Sequence, residues 1–201
     1  MPSQDREYRS MELRVLPGEE SYIVEGYAST FEPYVLFSQD GIDYSERIEP
    51  TAFDEADLTD VVFRIDHQGP VYARTSAGSV QLFVDEHGLG NVTDLSRTQK
   101  SRDLYEEIKA GNYPKMSFAF TVAADHYDKA SHTRVIERIA KVYDISPVSF
   151  PANPGTELSA RDYFDGVIEA EKAERLERER QEQEKRRLQL RIRVGGYLDE
   201  H

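Results

Sequence analysis

Hydrophobic and polar residues alternate with the period of β-structure through most of the first 150 positions. Met11, Leu13 and Val15 alternate with Glu12 and Arg14, and Tyr22, Ile23, Val24 and Tyr27 resume the β-forming character after Pro17-Gly18-Glu19-Glu20. Two β-forming runs around a Pro-Gly turn predict a hairpin. Residues 29–50 keep no period, and with Pro33, Asp40-Gly41 and scattered tyrosines they predict a long surface loop. Thr51 as a cap, followed by acidic residues, predicts a short helix over 49–56. Strands are expected over 61–65, 78–84 and 89–95, separated by the turns Asp66–Pro70 and Asp85–Gly88. Leu104, Tyr105 and Ile108 at helical spacing, closed by Lys109 and Gly111, predict a helix over 98–110.

The apolar run Lys115-Met116-Ser117-Phe118-Ala119-Phe120 then predicts a buried strand interrupted by one hydroxyl. It continues through Val122 to a polar hairpin tip at Asp128–Ser131, and strands follow over 133–139 and 140–150. Pro151-Ala152-Asn153-Pro154-Gly155 cannot continue a ladder. A folded body over 1–165 and a charged extension over 166–201 are the expected domains. The extension is helical by its Glu, Arg, Lys and Ala content and its Glu171/Arg175, Glu174/Arg178 and Glu182/Arg186 pairs. Leu188, Leu190, Ile192 and Val194 alternate like a strand, so its end stays open, with Gly195-Gly196 as a stop for either element.

Composition narrows what this mainly β, α+β body does. There is no cysteine, which excludes disulfides, a thiol nucleophile and thiolate metal sites. The net charge of −13 lies entirely in residues 1–165, where 29 acidic side chains face 16 basic ones, while the extension carries 9 of each. An acidic body repels phosphate, so no direct contact with nucleic acid is expected, and basic or mixed-charge protein segments fit better. Neither a signal-peptide pattern nor a membrane-length apolar run occurs, which reads as a cytoplasmic protein without membrane contact.

A serine inside an apolar strand is ordinarily a small residue whose hydroxyl meets a backbone partner, and a histidine at a strand end is ordinarily solvated. Here Ser117, His67 at the end of Phe63-Arg64-Ile65-Asp66, and Asp144 within Val142–Ser146 stand on three separate strands. Brought together, they supply a nucleophile, a general base and an orienting acid. His87 reads as a solvated turn residue. His126 and His132 lack a third ligand of suitable spacing, so no metal and no cofactor is expected.

Seven stretches in order resemble the prohead maturation proteases of tailed bacteriophages, which are distantly similar to herpesvirus assemblins. They are Val24–Ala28, Ile48–Phe53, Asp66-His67, Asp85–Leu89, Ile108–Gly111, Met116–Phe120 and Ile145–Pro154, within Met11 to Pro154. The family often has Gly where Thr51 and Ala119 stand, Leu-Gly-Arg where Tyr72-Ala73-Arg74 stands, and Glu where Asp144 stands. The resemblance implies a compact, herpesvirus-protease-like β-barrel flanked by helices. It also implies a serine endopeptidase that cleaves the scaffolding segment of the major capsid protein precursor, and itself, inside the immature prohead in the host cytoplasm. In that reading Ser117 attacks, His67 is the base and Asp144 orients it, with Ser146, two residues on and on the same strand face, as the alternative third member. The rival reading is a non-enzymatic assembly factor that binds capsid precursor through the charged extension. A homo-oligomer is left open by either.

Overall fold

The computed structural model describes residues 7–15, 22–149 and 158–198. Its strands are β1 (Glu7–Val15), β2 (Ile23–Thr30), β3 (Tyr34–Gln39), β4 (Ile42–Ile48), β5 (Val62–Ile65), β6 (Gln68–Arg74), β7 (Val80–Val84), β8 (Gly88–Asp94), β9 (Lys115–Asp128) and β10 (Thr133–Val148). The helices are α1 (Gln99–Lys109) and α2 (Leu158–Leu198), with short 3-10 turns at Pro50–Phe53 and Thr75–Ala77. The Pro17–Glu20 turn and the Pro151–Gly155 stop lie outside the described residues. By their contacts the residues fall into two units, 1–159 and 160–201.

The first unit is a single sheet ordered β3-β4-β10-β9-β1-β2-β8-β7. Beside β10, β5 pairs in parallel and carries β6 on its other edge. β10 is long enough, at 16 residues, to take β4 along Thr133–Ile136 and β5 along Asp144–Ile145 on the same side. The sheet therefore forks. Its path begins at β3 and ends at β7, which are not paired with each other, so the expected barrel is corrected to an open sheet.

Residues 29–50, expected as a loop, hold the β3–β4 hairpin. Its turn is Asp40-Gly41, with Gln39 opposite Ile42 and left-handed φ of 54° and 79°. That is the two-residue turn an Asp-Gly pair favours. The alternation on either side is obscured by polar residues that are nonetheless buried, Glu46 above all. The helix expected over 49–56 is only the 3-10 turn, with Glu49 rather than Thr51 at its N-cap and no side-chain cap bond. α1 forms as expected, with Thr98 accepting from Ser101 N and with Leu104, Tyr105 and Ile108 buried. α2 remains helical through Leu188–Val194 and past Gly195-Gly196, and both Leu176 and Leu188 are exposed.

The apolar core gathers Val24, Phe63, Met116, Phe118, Phe120, Ile136, Val142 and Ile145. Each large side chain fully buried there contributes about 1.5–3 kcal/mol. Phe118 stacks on Phe120 with 4.4 Å between ring centroids, and Phe53 from the 3-10 turn packs against Phe118.

A cluster of buried charges cross-links the strands beside this core. Arg9 on β1 pairs with Glu46 on β4 through both carboxylate oxygens, and its Nη2 lies 2.8 Å from Glu7 Oε2. Arg134 on β10 forks onto Glu7 at 2.7 and 3.0 Å, and its Nε meets Asp125 on β9 at 2.5 Å. The Tyr34 hydroxyl donates to Glu46. Taking these ions out of water is tolerable only because each is paired and hydrogen-bonded, and removing one partner strands the others.

Glu46→Gln is thus expected to destabilise the protein by about 3–5 kcal/mol, read as a shift of the urea midpoint. Burial alone would raise the Glu46 carboxyl, but Arg9, Arg134 and Tyr34 outweigh it and hold it below its ordinary 4.5. A carboxyl lowered in the folded state contributes stability that is present above its unfolded pKa and lost as pH falls through the folded one. The melting temperature should therefore decline below about pH 4.5, and less steeply in Glu46→Gln. Equal acid slopes for the two proteins would contradict this.

Candidate active site

The β9–β10 hairpin places Ser117 opposite Ser146 and Ala119 opposite Asp144. Because side chains alternate along a strand, Ser117, Ser146 and Asp144 share one face of the sheet. Neighbouring Phe118 and Phe120 point to the other face, as does Arg9, whose register partner is Phe118. The apolar run thus packs on one side and offers its hydroxyl on the other.

The histidine arrives from β5. That strand runs parallel beside β10, Val62 against Asp144 and Phe63 against Ile145, and ends in the two-residue turn Asp66-His67 that leads into β6. Both turn residues have left-handed φ, 46° and 59°. The backbone repeats the Asp40-Gly41 turn of β3–β4, with a histidine where that turn has its glycine. An L-residue held left-handed costs roughly 1–2 kcal/mol, less for Asp, whose side chain bonds locally. Such a conformation persists only where the surroundings impose it. Here Asp66 N donates to Pro147 O at 3.1 Å and His67 N donates to Ser146 Oγ at 3.3 Å, so the turn lies against the end of β10. Arg64 Nη2 clasps Gly69 O across the hairpin at 2.6 Å.

This brings the three side chains into one chain of hydrogen bonds. His67 Nε2 lies 2.7 Å from Ser117 Oγ, and His67 Nδ1 lies 2.6 Å from Asp144 Oδ1. A carboxylate only accepts, so in the neutral imidazole Nδ1 carries the hydrogen and Nε2 is left to accept from the serine hydroxyl. Ser146 Oγ donates to Asp144 Oδ1 at 2.8 Å. The expected alternative third member therefore meets the carboxylate and the His67 backbone, while Nδ1 faces Asp144. Ser117 is 1% exposed and the Asp144 side chain 3%, whereas the imidazole is 17% exposed and forms the open edge of the site.

The other described histidines are elsewhere. His87 is exposed in its turn, His126 pairs with Glu137 at 2.8 Å, and His132 Nδ1 lies 2.7 Å from the Tyr127 hydroxyl. Among the described residues no three His, Asp or Glu side chains are grouped to hold a metal ion, and no helix is long and apolar enough to cross a membrane. Sequence reasoning passed over Asp66, read only as a turn residue. Its carboxylate accepts from Ser149 N at 2.9 Å and from Ser149 Oγ at 3.0 Å. The signal available in the sequence was an Asp-His pair ending a strand in the place of an Asp-Gly.

A hydroxyl, an imidazole and a carboxylate linked in that order make up the arrangement that serine hydrolases use for acyl transfer. Residues 7–167 match the family model described as the caudovirus prohead serine protease, and the chain belongs to that family. Membership makes it a serine protease, hence a hydrolase, with a part in phage capsid maturation. No curated protein and no solved structure matches the chain.

Ser146→Ala removes both the donor to Asp144 and the acceptor for the His67 amide. A loss of about 1–3 kcal/mol in urea unfolding is the expected result. An unchanged midpoint would mean that water takes over both bonds.

Proposed function

We propose that this protein is an endopeptidase in which Ser117 is the nucleophile, His67 the general base and Asp144 the acid that orients it. The observation that carries the reading is the Ser117–His67–Asp144 hydrogen-bond chain in a member of this family. Ser117 Oγ attacks the scissile carbonyl as its proton passes to His67 Nε2, giving a tetrahedral intermediate and an imidazolium. Asp144, with Ser146 donating to it, stabilises the charged ring through Nδ1–H. The imidazolium then protonates the leaving amine, and water, deprotonated by the same nitrogen, releases the acyl group.

The substrate in this reading is the scaffolding segment of the major capsid protein precursor, cut inside the immature prohead in the host cytoplasm. The acidic body of the protease, which carries the chain's net charge of −13, favours basic or mixed-charge segments. The extension over 166–201 serves for recruitment and is itself cleaved by the enzyme. A distant kinship with herpesvirus assemblins belongs to the same proposal.

Incubation with capsid precursor tests it. Ser117→Ala and His67→Ala should each lower cleavage by several orders of magnitude, nearly equally, because such residues act as a unit. Asp144→Asn should fall by about 10⁴-fold or less, the imidazole being left in the wrong tautomer. Binding of precursor should survive in all three. A well-folded Ser117→Ala protein that cleaves at the wild-type rate removes the nucleophile assignment, and binding without cleavage by the wild type establishes the assembly-factor reading. Limited proteolysis should trim the extension and leave a body that melts cooperatively. Loss of the cooperative transition on trimming would refute the proposed boundary.

A further inference from the structure

We infer that Asp66 is the positioning residue of this site, holding through Ser149 the left-handed turn that presents the His67 imidazole. The inference rests on the proposed roles of Ser117 and His67, and goes beyond them to a carboxylate that touches neither. What distinguishes Asp66 is where its side chain goes. Aspartates in turns usually cap their own loop, accepting from the amide two residues on. Asp57, Asp85, Asp94 and Asp128 all do so, onto the amides of Thr59, His87, Ser96 and Ala130. Asp66 instead spends both carboxylate oxygens on Ser149, 83 residues away, one on the amide and one on the hydroxyl.

The effect is to fasten the β5–β6 turn to the end of β10 from three directions. Asp66 N reaches back to Pro147 O, His67 N to Ser146 Oγ, and the Asp66 carboxylate forward to Ser149. The three partners, Ser146, Pro147 and Ser149, lie within five residues of Asp144, the first two on β10 and Ser149 just past its end. The imidazole and the acid that orients it are thus referenced to one short piece of backbone. A turn with φ of 46° and 59° at two non-glycine residues relaxes when its restraints are cut. The imidazole then swings away from Asp144 and Ser117 while the apolar core on the opposite face is untouched.

Three variants of the full chain separate positioning from structural support. Asp66→Gly keeps the left-handed backbone and loses the clamp, Asp66→Asn keeps an acceptor oxygen and tolerates left-handed φ, and Ser149→Ala removes one of the two bonds. The probe is a fluorophosphonate, which phosphonylates the attacking serine oxygen with loss of fluoride and needs the base but no peptide-binding subsite. Asp66→Gly should react about 100-fold more slowly, the usual penalty for a misplacement near 1 Å, with Ser149→Ala intermediate and Asp66→Asn near wild type. In parallel, the downfield proton resonance of His67 Nδ1–H in its 2.6 Å bond to Asp144 should be lost in Asp66→Gly and kept in Asp66→Asn. A purely supporting role would lower the melting temperature without moving that resonance. Wild-type labelling rates and an intact resonance in Asp66→Gly overturn the inference. Should Asp66→Gly fail to fold, Ser149→Ala decides alone, an unchanged rate and resonance overturning the inference. Should the wild type itself resist labelling while Ser117→Ala behaves identically, the nucleophile assignment has failed instead, and the resonance still decides for or against the clamp.

Discussion

The antiparallel pairing of β9 with β10 is the constraint on which the rest of the molecule depends. It brings Ser117 and Asp144 onto one face and, by the same alternation, directs Phe118 and Phe120 into the other. A slip of one residue would exchange the faces, setting a hydroxyl among the phenylalanines and two rings where the imidazole and carboxylate stand. The site and the core therefore enforce each other's register. The remaining strands attach to this pair: β1 on the free edge of β9, and β4 and β5 at separate places along β10.

The buried ion cluster works on the same problem from the opposite face. Arg9 and Arg134 tie β1, β4, β9 and β10 to each other through carboxylates that have no exposed alternative. Apolar side chains of similar volume would pack there without the desolvation cost, so the cluster adds little to stability that a plain core would lack. What it supplies is direction. An arginine fork accepts one alignment of its partner carboxylate, whereas Val and Ile pack in several. The cluster sits along Thr133–Ile136, where β10 takes β4, and there that discrimination favours one alignment of the two strands.

The sequence was legible where chemistry and period coincide. Strands rich in β-branched and aromatic residues, the capped helix at Gln99–Lys109 and the polar tip at Asp128–Ser131 all carried local signals. Ser117, His67 and Asp144 could be named as candidates because a hydroxyl, an imidazole and a carboxylate stand in or at the end of three separate apolar strands, each ordinary by itself. The β3–β4 hairpin was obscured because Glu46 and Tyr44, which read as surface residues, are buried there. Nothing local marks Glu7, Arg9 and Arg134 as interior, since a buried ion looks like a surface one until its partners, as far as 127 residues away, are known. The open sheet was hidden for a related reason: forking is decided by which parts of one long strand two distant strands choose.

The position of His67 on the tip of a hairpin carries a consequence in time. Ser117 and Asp144 lie on adjacent strands of one hairpin and meet as soon as it zips, whereas the imidazole comes from a strand about 80 positions away in parallel register. Non-local parallel pairings are the slow ones, because loop-closure entropy is met before any contact rewards it. Under the proposed roles, a half-folded chain thus holds Ser117 without its base, and chemical competence would arrive only with the docking of β5 on β10.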